Sequence, residues 1–182
     1  MLRQKSLESL QRGRLLAQII KKQKYQKEVE GSLDLGRQKI EKAFTEKEMN
    51  YIGTALYWAE GFKKDRRLGF ANSDPTMIKL FLFWLEKSLG VPKSEIRLRV
   101  GINKLFENRI KEIEQYWSDT TGIPLNQFQK PFYQNSKLNR LYPNHKTYFG
   151  VLRIRANRQR KVFGMILGMI EGMKEDVVRV TQ

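Results

Sequence analysis

Cysteine is missing from this 182-residue chain and histidine occurs once, at His145. The first absence excludes disulfide frameworks and cysteine-based zinc sites, and it fits a reducing compartment. The second excludes any multi-histidine metal centre. No apolar run approaches the roughly 18 residues of a membrane span, and the opening MLRQKSLESLQ has no apolar core of the signal-peptide kind. A cytoplasmic protein with no membrane partner is therefore expected. Acids are scarce too: 19 Asp and Glu face 35 Lys and Arg, giving a formal charge of +16. Between Asp119 and Glu171 there is no acid, yet that stretch holds Lys130, Lys137, Arg140, Lys146, Arg153, Arg155, Arg158, Arg160 and Lys161. Such an imbalance draws a polyanion, with nucleic acid the leading class. No glycine-rich phosphate loop and no Ser-His-Asp arrangement emerges.

The length suits one domain with an appendage. Residues 1–44 read as a basic helical arm with a modest apolar face (Leu7, Leu10, Leu15, Leu16, Ile19, Ile20) and a hinge at Gly31, Ser32 and Gly36. The domain proper spans 45–175, and 176–182 is a frayed tail. Its organising stretch is 45–61, TEKEMNYIGTALYWAEG. Thr45 and Glu48 form a capping-box pattern; Gly61 is expected to close the helix in the left-handed conformation. Gly53, Thr54 and Ala55 thin one side, so Gly53, Thr54, Leu56 and Tyr57 are candidates for contact with a second copy of the helix. That packing would bring two Glu60 carboxylates together. An acid at a helix carboxyl end opposes the local dipole, so Glu60 is either an exposed end residue or placed there for a purpose.

Further on, Asp74 and Pro75 announce a helix that Gly90 stops. Ile96 to Ile102 alternate apolar and polar side chains as a half-buried strand does. A third helix covers 103–122, residues 127–134 read as a strand and 135–146 as an irregular loop. Residues 148–156 repeat the strand device, with Leu152 and Ile154 inward and Arg153 and Arg155 outward. A last helix covers 157–173, its Gly164, Gly168 and Gly172 suggesting tight packing. The fold class expected is α+β: a mixed or antiparallel sheet with helices on one face and a basic exposed face. Arg97, Arg99, Arg153 and Arg155 on that face, with Tyr133, Tyr142 and Tyr148 in the adjoining segments, suit phosphates and the guanine edge, because the guanidinium fork donates two parallel hydrogen bonds. The alternative is that these arginines pair with acids on the helices.

GTALYWAEG, residues 53–61, resembles the LAGLIDADG motif of homing endonucleases, with Leu56, Ala59, Glu60 and Gly61 in matching places. The stretches LYWAEG, NSDPTMIKLFLFWL, YWSDTTGIPLNQFQKP and YFGVLRIRA, in this order, are similar to a bacterial family of LAGLIDADG-like proteins, over roughly residues 47–173. Trp58 replaces the first Asp of the motif, its opening Leu-Ala-Gly is present only as Gly-Thr-Ala, and the long third helix has no place in the minimal family pattern. The resemblance implies a LAGLIDADG-like fold and a metal site at Glu60 and Gly61. There Mg²⁺, shared between paired Glu60 residues of a homodimer, would orient water toward a phosphodiester, with Lys63 and Lys64 steadying the phosphate. The DNA-binding set expected is Lys63, Lys64, Arg66, Arg67, Arg97, Arg99, Lys130, Lys137, Arg140, Lys146, Arg153 and Arg155. Three readings follow: a double-stranded DNA-binding protein, associated with the nucleoid, that cleaves with Mg²⁺ as a homodimer; a transcriptional regulator of the same fold that binds and does not cut; and an RNA-binding module.

Overall fold

A computed structural model describes residues 2–40, 43–64, 67–135 and 147–181. The chain divides into two compact units, Met1–Ala43 and Phe44–Gln182. In the first, α1 (Leu2–Gln38) is one uninterrupted helix. The expected hinge is absent: Gly31 and Gly36 lie within the helix with nothing within 4 Å of where a Cβ would stand. Glycine in a helix interior costs only about 1 kcal/mol against alanine, too little to break 37 residues. Its apolar residues Leu10, Leu15, Leu16, Ile19 and Ile20 are all exposed.

The second unit is α+β. Its order is α2 (Glu46–Glu60), β1 (Gly69–Asn72), α3 (Pro75–Lys87), β2 (Ile96–Asn103), α4 (Ile110–Thr121), β3 (Phe132–Gln134), β4 (Val151–Ala156) and α5 (Arg160–Thr181). The four strands form one mixed sheet in the order β1-β4-β2-β3, with β4 antiparallel to both β1 and β2, and β3 parallel to β2. Local signals set the helix starts. Thr45 accepts from the Glu48 amide while the Glu48 carboxylate takes the Thr45 amide at 2.8 Å, a complete capping box. Asp74 caps α3 through the amides of Thr76 and Met77, with Pro75 in its first turn. Gly122 ends α4 at φ 67°, which glycine reaches without a Cβ clash.

Phe70, Ile96, Leu98, Val100, Ile102, Leu152 and Ile154 are each at most 1% exposed and form the floor of the core. Phe81 of α3 stacks on Phe70 with ring centroids 4.4 Å apart, and Trp117 of α4 anchors the chain before β4 by donating to the Phe149 carbonyl at 2.8 Å. Several expectations need correction. The third helix begins as a 3-10 stretch, Lys104–Arg109, because the Asn103 side chain accepts from the Leu105 amide and tightens the first turns. Of 127–134 only Phe132–Gln134 is strand, since Leu125–Gln127 forms a 3-10 turn after Pro124. The tail is not frayed: α5 continues to Thr181. Gly164, Gly168 and Gly172 do not pack closely, for each faces open space, and the buried side of α5 is Phe163, Ile166 and Ile170.

Candidate nucleic-acid interface

The register of β2 and β4 sets Arg97 opposite Arg155 and Arg99 opposite Arg153. Residues paired across a sheet share a face, so the four arginines lie together, alternating with the aliphatic residues of the core. Arg153 is exposed and the other three are half-buried. On the same face β1 contributes Gly69 beside Arg155 and Ala71 beside Arg153, and β3 contributes Phe132 beside Gly101. Gly69 and Ala71 add little bulk beside Arg155 and Arg153.

Two phenylalanines border the arginines, and the sequence reading gave neither a role. Phe62 donates its amide to the Gly69 carbonyl at 2.9 Å, which lays its ring over the glycine, where a Cβ would come within 2.6 Å. The ring centroid then lies 4.4 Å from the Arg155 guanidinium and 5.2 Å from that of Arg153. On the other side, the half-exposed Phe132 ring lies 5.7 Å from Arg99. These are cation–π distances, each contributing about 0.5–1 kcal/mol at exposed sites. Backbone carbonyls complete the orientation: Lys130 accepts from Arg99 Nε at 2.8 Å, Ser94 from Arg97 Nη1 at 2.8 Å and Arg67 from Arg155 Nη1 at 3.3 Å. Among the described residues Arg99 thus uses one of its five donors. Signals for Phe62 and Phe132 existed only as aromatic residues beside basic ones; their place depends on register.

Among the described residues Arg97, Arg99 and Arg153 have no acidic partner. The acids pair elsewhere, over one turn of a helix: Asp34 with Arg37, Glu112 with Arg109, Glu171 with Lys174 and Asp176 with Arg179, while Glu86 meets Lys93. Glu112 is held below the usual carboxylate range mainly by its hydrogen bond from Arg109, whose own value rises in return. Among the described residues, then, Arg97, Arg99 and Arg153 do not neutralise helix acids.

Lys63, Lys64, Arg67 and Lys130 are exposed, the first two lining a hollow with Phe62, Arg153 and Arg155. Arg66, Lys137, Arg140, Lys146 and Tyr142 lie outside the described residues. Tyr133 pairs with Ile102 and so shares the core face; burial and the carboxylates of Glu107 and Glu114 push its hydroxyl above the usual tyrosine range. Tyr148 packs on Phe106 with centroids 5.1 Å apart. Neither tyrosine joins the arginine face.

The end of α2 differs from expectation. Gly61 is extended, φ −72° and ψ 151°, and is required because a Cβ would strike the Tyr57 ring and carbonyl. Lys63 Nζ donates to the Trp58 carbonyl at 2.9 Å and to the Gly61 carbonyl at 3.0 Å, placing an ammonium at the negative end of the helix dipole. Glu60 is exposed and has no ion-pair partner among the described residues. This donor set does not fit Mg²⁺ within one subunit. It supplies one carboxylate, the neighbouring carbonyl already faces a cation, and among the described residues no three His, Cys, Asp or Glu side chains converge.

The expected subunit contact is also corrected. Gly53 abuts the Trp84 indole, Thr54 is 2% exposed with its hydroxyl 3.5 Å from Met169 Sδ, and Tyr57 is fully buried, its hydroxyl donating to the Phe62 carbonyl at 2.6 Å. The thin side of α2 packs on α3 and α5 of its own chain. What it leaves outward is Tyr51, Ala55, Trp58 and Ala59, with Leu56 half-buried. Compared with protein-family models, curated proteins and solved structures, the chain returns no match.

Proposed function

We propose that this protein binds double-stranded DNA through the arginine-bearing face of its sheet and does not cut it. The observation that carries the reading is the pair of cross-strand arginine rows, Arg97 with Arg155 and Arg99 with Arg153, of which Arg97, Arg99 and Arg153 lack an acidic partner among the described residues. Two adjacent strands, about 4.8 Å apart, form a ribbon narrow enough for a major groove about 12 Å wide. Arginines on its outer side reach phosphates and the O6 and N7 of guanine. The resemblance of 53–61 and the later stretches to LAGLIDADG proteins supports the same reading, since α2 leads through Phe62 directly onto this face.

Binding without cleavage is favoured by Lys63. Its ammonium at the Gly61 carbonyl supplies the positive charge that a metal would bring there, and among the described residues no second acid joins Glu60 in a metal-binding group. A homodimer, in this reading, uses Tyr51, Ala55, Trp58 and Ala59, the side of α2 that the fold leaves outward. Fluorescence anisotropy with duplex DNA tests the reading. Replacing Arg99 and Arg153 together by Ala is expected to weaken binding by roughly tenfold per arginine, at about 1–3 kcal/mol per bidentate contact. Wild-type protein and Glu60→Gln are expected to bind alike and to leave a plasmid library uncut in Mg²⁺. Nicking that Glu60→Gln abolishes would establish the cleaving reading; a preference for structured RNA over duplex DNA at matched salt would establish the RNA one.

A further inference from the structure

Off the edge of the sheet, between the chain leaving α2 and the turn that starts α5, lies a cleft of about 950 Å³ whose wall carries Lys63, Lys64, Arg67, Arg158 and Arg160. No described residue of its lining is acidic. The cleft also receives the amino end of α5, whose first turn holds no acid. There the amides of Arg160, Lys161 and Val162 find no acceptor among the described residues, the first backbone bond running from Phe163 to the Gln159 carbonyl at 2.9 Å. Arg158 adopts φ 56°, in the left-handed region where glycine is less strained than a residue with a side chain. Lys64, Arg158 and Arg160 on the same lining, together with these amides, suit a phosphate. The volume is far larger than a lone ion needs, so the cleft has room for a stretch of sugar–phosphate chain. Lys63 and Lys64 also border the hollow containing Arg153 and Arg155, so the cleft and the arginine face adjoin.

The geometry points to a second phosphodiester site: the cleft takes the backbone of the same nucleic acid that lies on the sheet, where its strand passes the sheet edge. This inference rests on the proposed function and adds a sequence-independent clamp to it. Its test uses the full chain carrying Arg158→Gly with Arg160→Gln, next to Lys79→Ala with Lys87→Ala, which removes two exposed charges from α3. Glycine at 158 relieves the left-handed strain, so the first variant is expected to melt no lower than wild type and any loss of binding is not unfolding. Two lost phosphate contacts lower the salt slope of duplex affinity by about 1.8, so the advantage of wild type over this variant narrows about twelvefold between 50 and 200 mM salt. The α3 variant is expected to keep the wild-type slope, and discrimination between DNA sequences is expected to be unchanged. If both double variants give the same slope, or if inorganic phosphate protects wild type but not Arg158→Gly with Arg160→Gln while their DNA slopes agree, the clamp is refuted. Should the Arg99 and Arg153 double variant also bind like wild type, the parent reading falls with it; a loss confined to that variant overturns the clamp alone.

Discussion

Gly53→Ala measures how α2 is used. A Cβ at this position would fall within the Trp84 indole, which is fully buried and donates its Nε1 proton to Asn50 Oδ1 at 3.0 Å. Phe81, also buried, lies next to that indole with its centroid 6.0 Å away, so the ring has no empty space into which to retreat. Overpacking of a filled core costs about 1–3 kcal/mol, and this site belongs at the upper end because several ring atoms are struck at once. Displacing the indole also strains a hydrogen bond with a net contribution of about 1 kcal/mol. Alanine returns about 1 kcal/mol of helix propensity. The net expectation is a loss of about 3 kcal/mol, read in urea denaturation as a midpoint lower by roughly 1–3 M at the slopes usual for small proteins. Gly168→Ala is the paired control. Nothing lies within 4 Å of its Cβ position, so only the propensity gain acts and the midpoint is expected to rise. If Gly53→Ala leaves the midpoint unchanged or raises it, and instead alters the mass measured by sedimentation, then Gly53 faces a second subunit and the packing described above is wrong.

Thr45→Ala removes the capping box and is expected to cost about 1 kcal/mol in the same assay. Glu114 is half-buried, and burial raises its carboxyl above the ordinary 4.5. An acid raised in the fold takes up protons on folding, so it opposes folding once pH climbs past its unfolded value; Glu114→Gln should raise stability at pH 7 and have no effect at pH 3. Glu48 and Glu112 have the opposite sign. The Thr45 amide and the Arg109 guanidinium hold them low, so their support is present above 4.5 and is lost as pH falls through the lowered values, which a Glu48→Gln variant measured at pH 7 and pH 3 checks. Because arginines oppose one another across β2 and β4, moderate salt is expected to raise the melting temperature of wild type more than that of a protein with Arg99 and Arg153 changed to Gln.

Where one turn of chain decides the outcome, the sequence is enough. Thr45 with Glu48 and Asp74 with Pro75 each act on amides within four residues, and each stands where expected. The alternation in 96–102 and 151–156 likewise reports its own two faces. What the chain does not carry locally is the identity of a neighbour. Helical spacing groups Gly53, Thr54 and Tyr57 on one side, but only the placement of Trp84 and Met169, more than 30 and 110 residues on in sequence, decides that the side is used within the subunit. Phe62 and Phe132 join the arginines through the pairing of β1 with β4 and of β2 with β3. Glycines mislead in both directions, since Gly31 and Gly36 do not break α1 and the four-residue spacing on α5 brings nothing close. Lys63 at the Gly61 carbonyl follows from the extended backbone of Gly61, which a motif reading in left-handed terms does not contain.

Like charges directly opposite on a sheet destabilise it, and this chain sets two such pairs side by side. Among the described residues, two aromatic rings and the carbonyls of Lys130, Ser94 and Arg67 are among the devices that hold the guanidinium groups, and Arg97, Arg99 and Arg153 have no acid beside them. Each fixes direction without cancelling charge. A carboxylate would orient an arginine at least as well, and the chain has acids to offer, yet those in ion pairs meet partners on or beside helices, mostly one turn away. Selection for stability alone would have exchanged one member of each arginine pair for glutamate or threonine. The arrangement makes physical sense if the missing negative charge arrives with a ligand: the donors are already aimed, so binding loses little side-chain freedom, and repulsion across the strands is relieved by the phosphates that replace it.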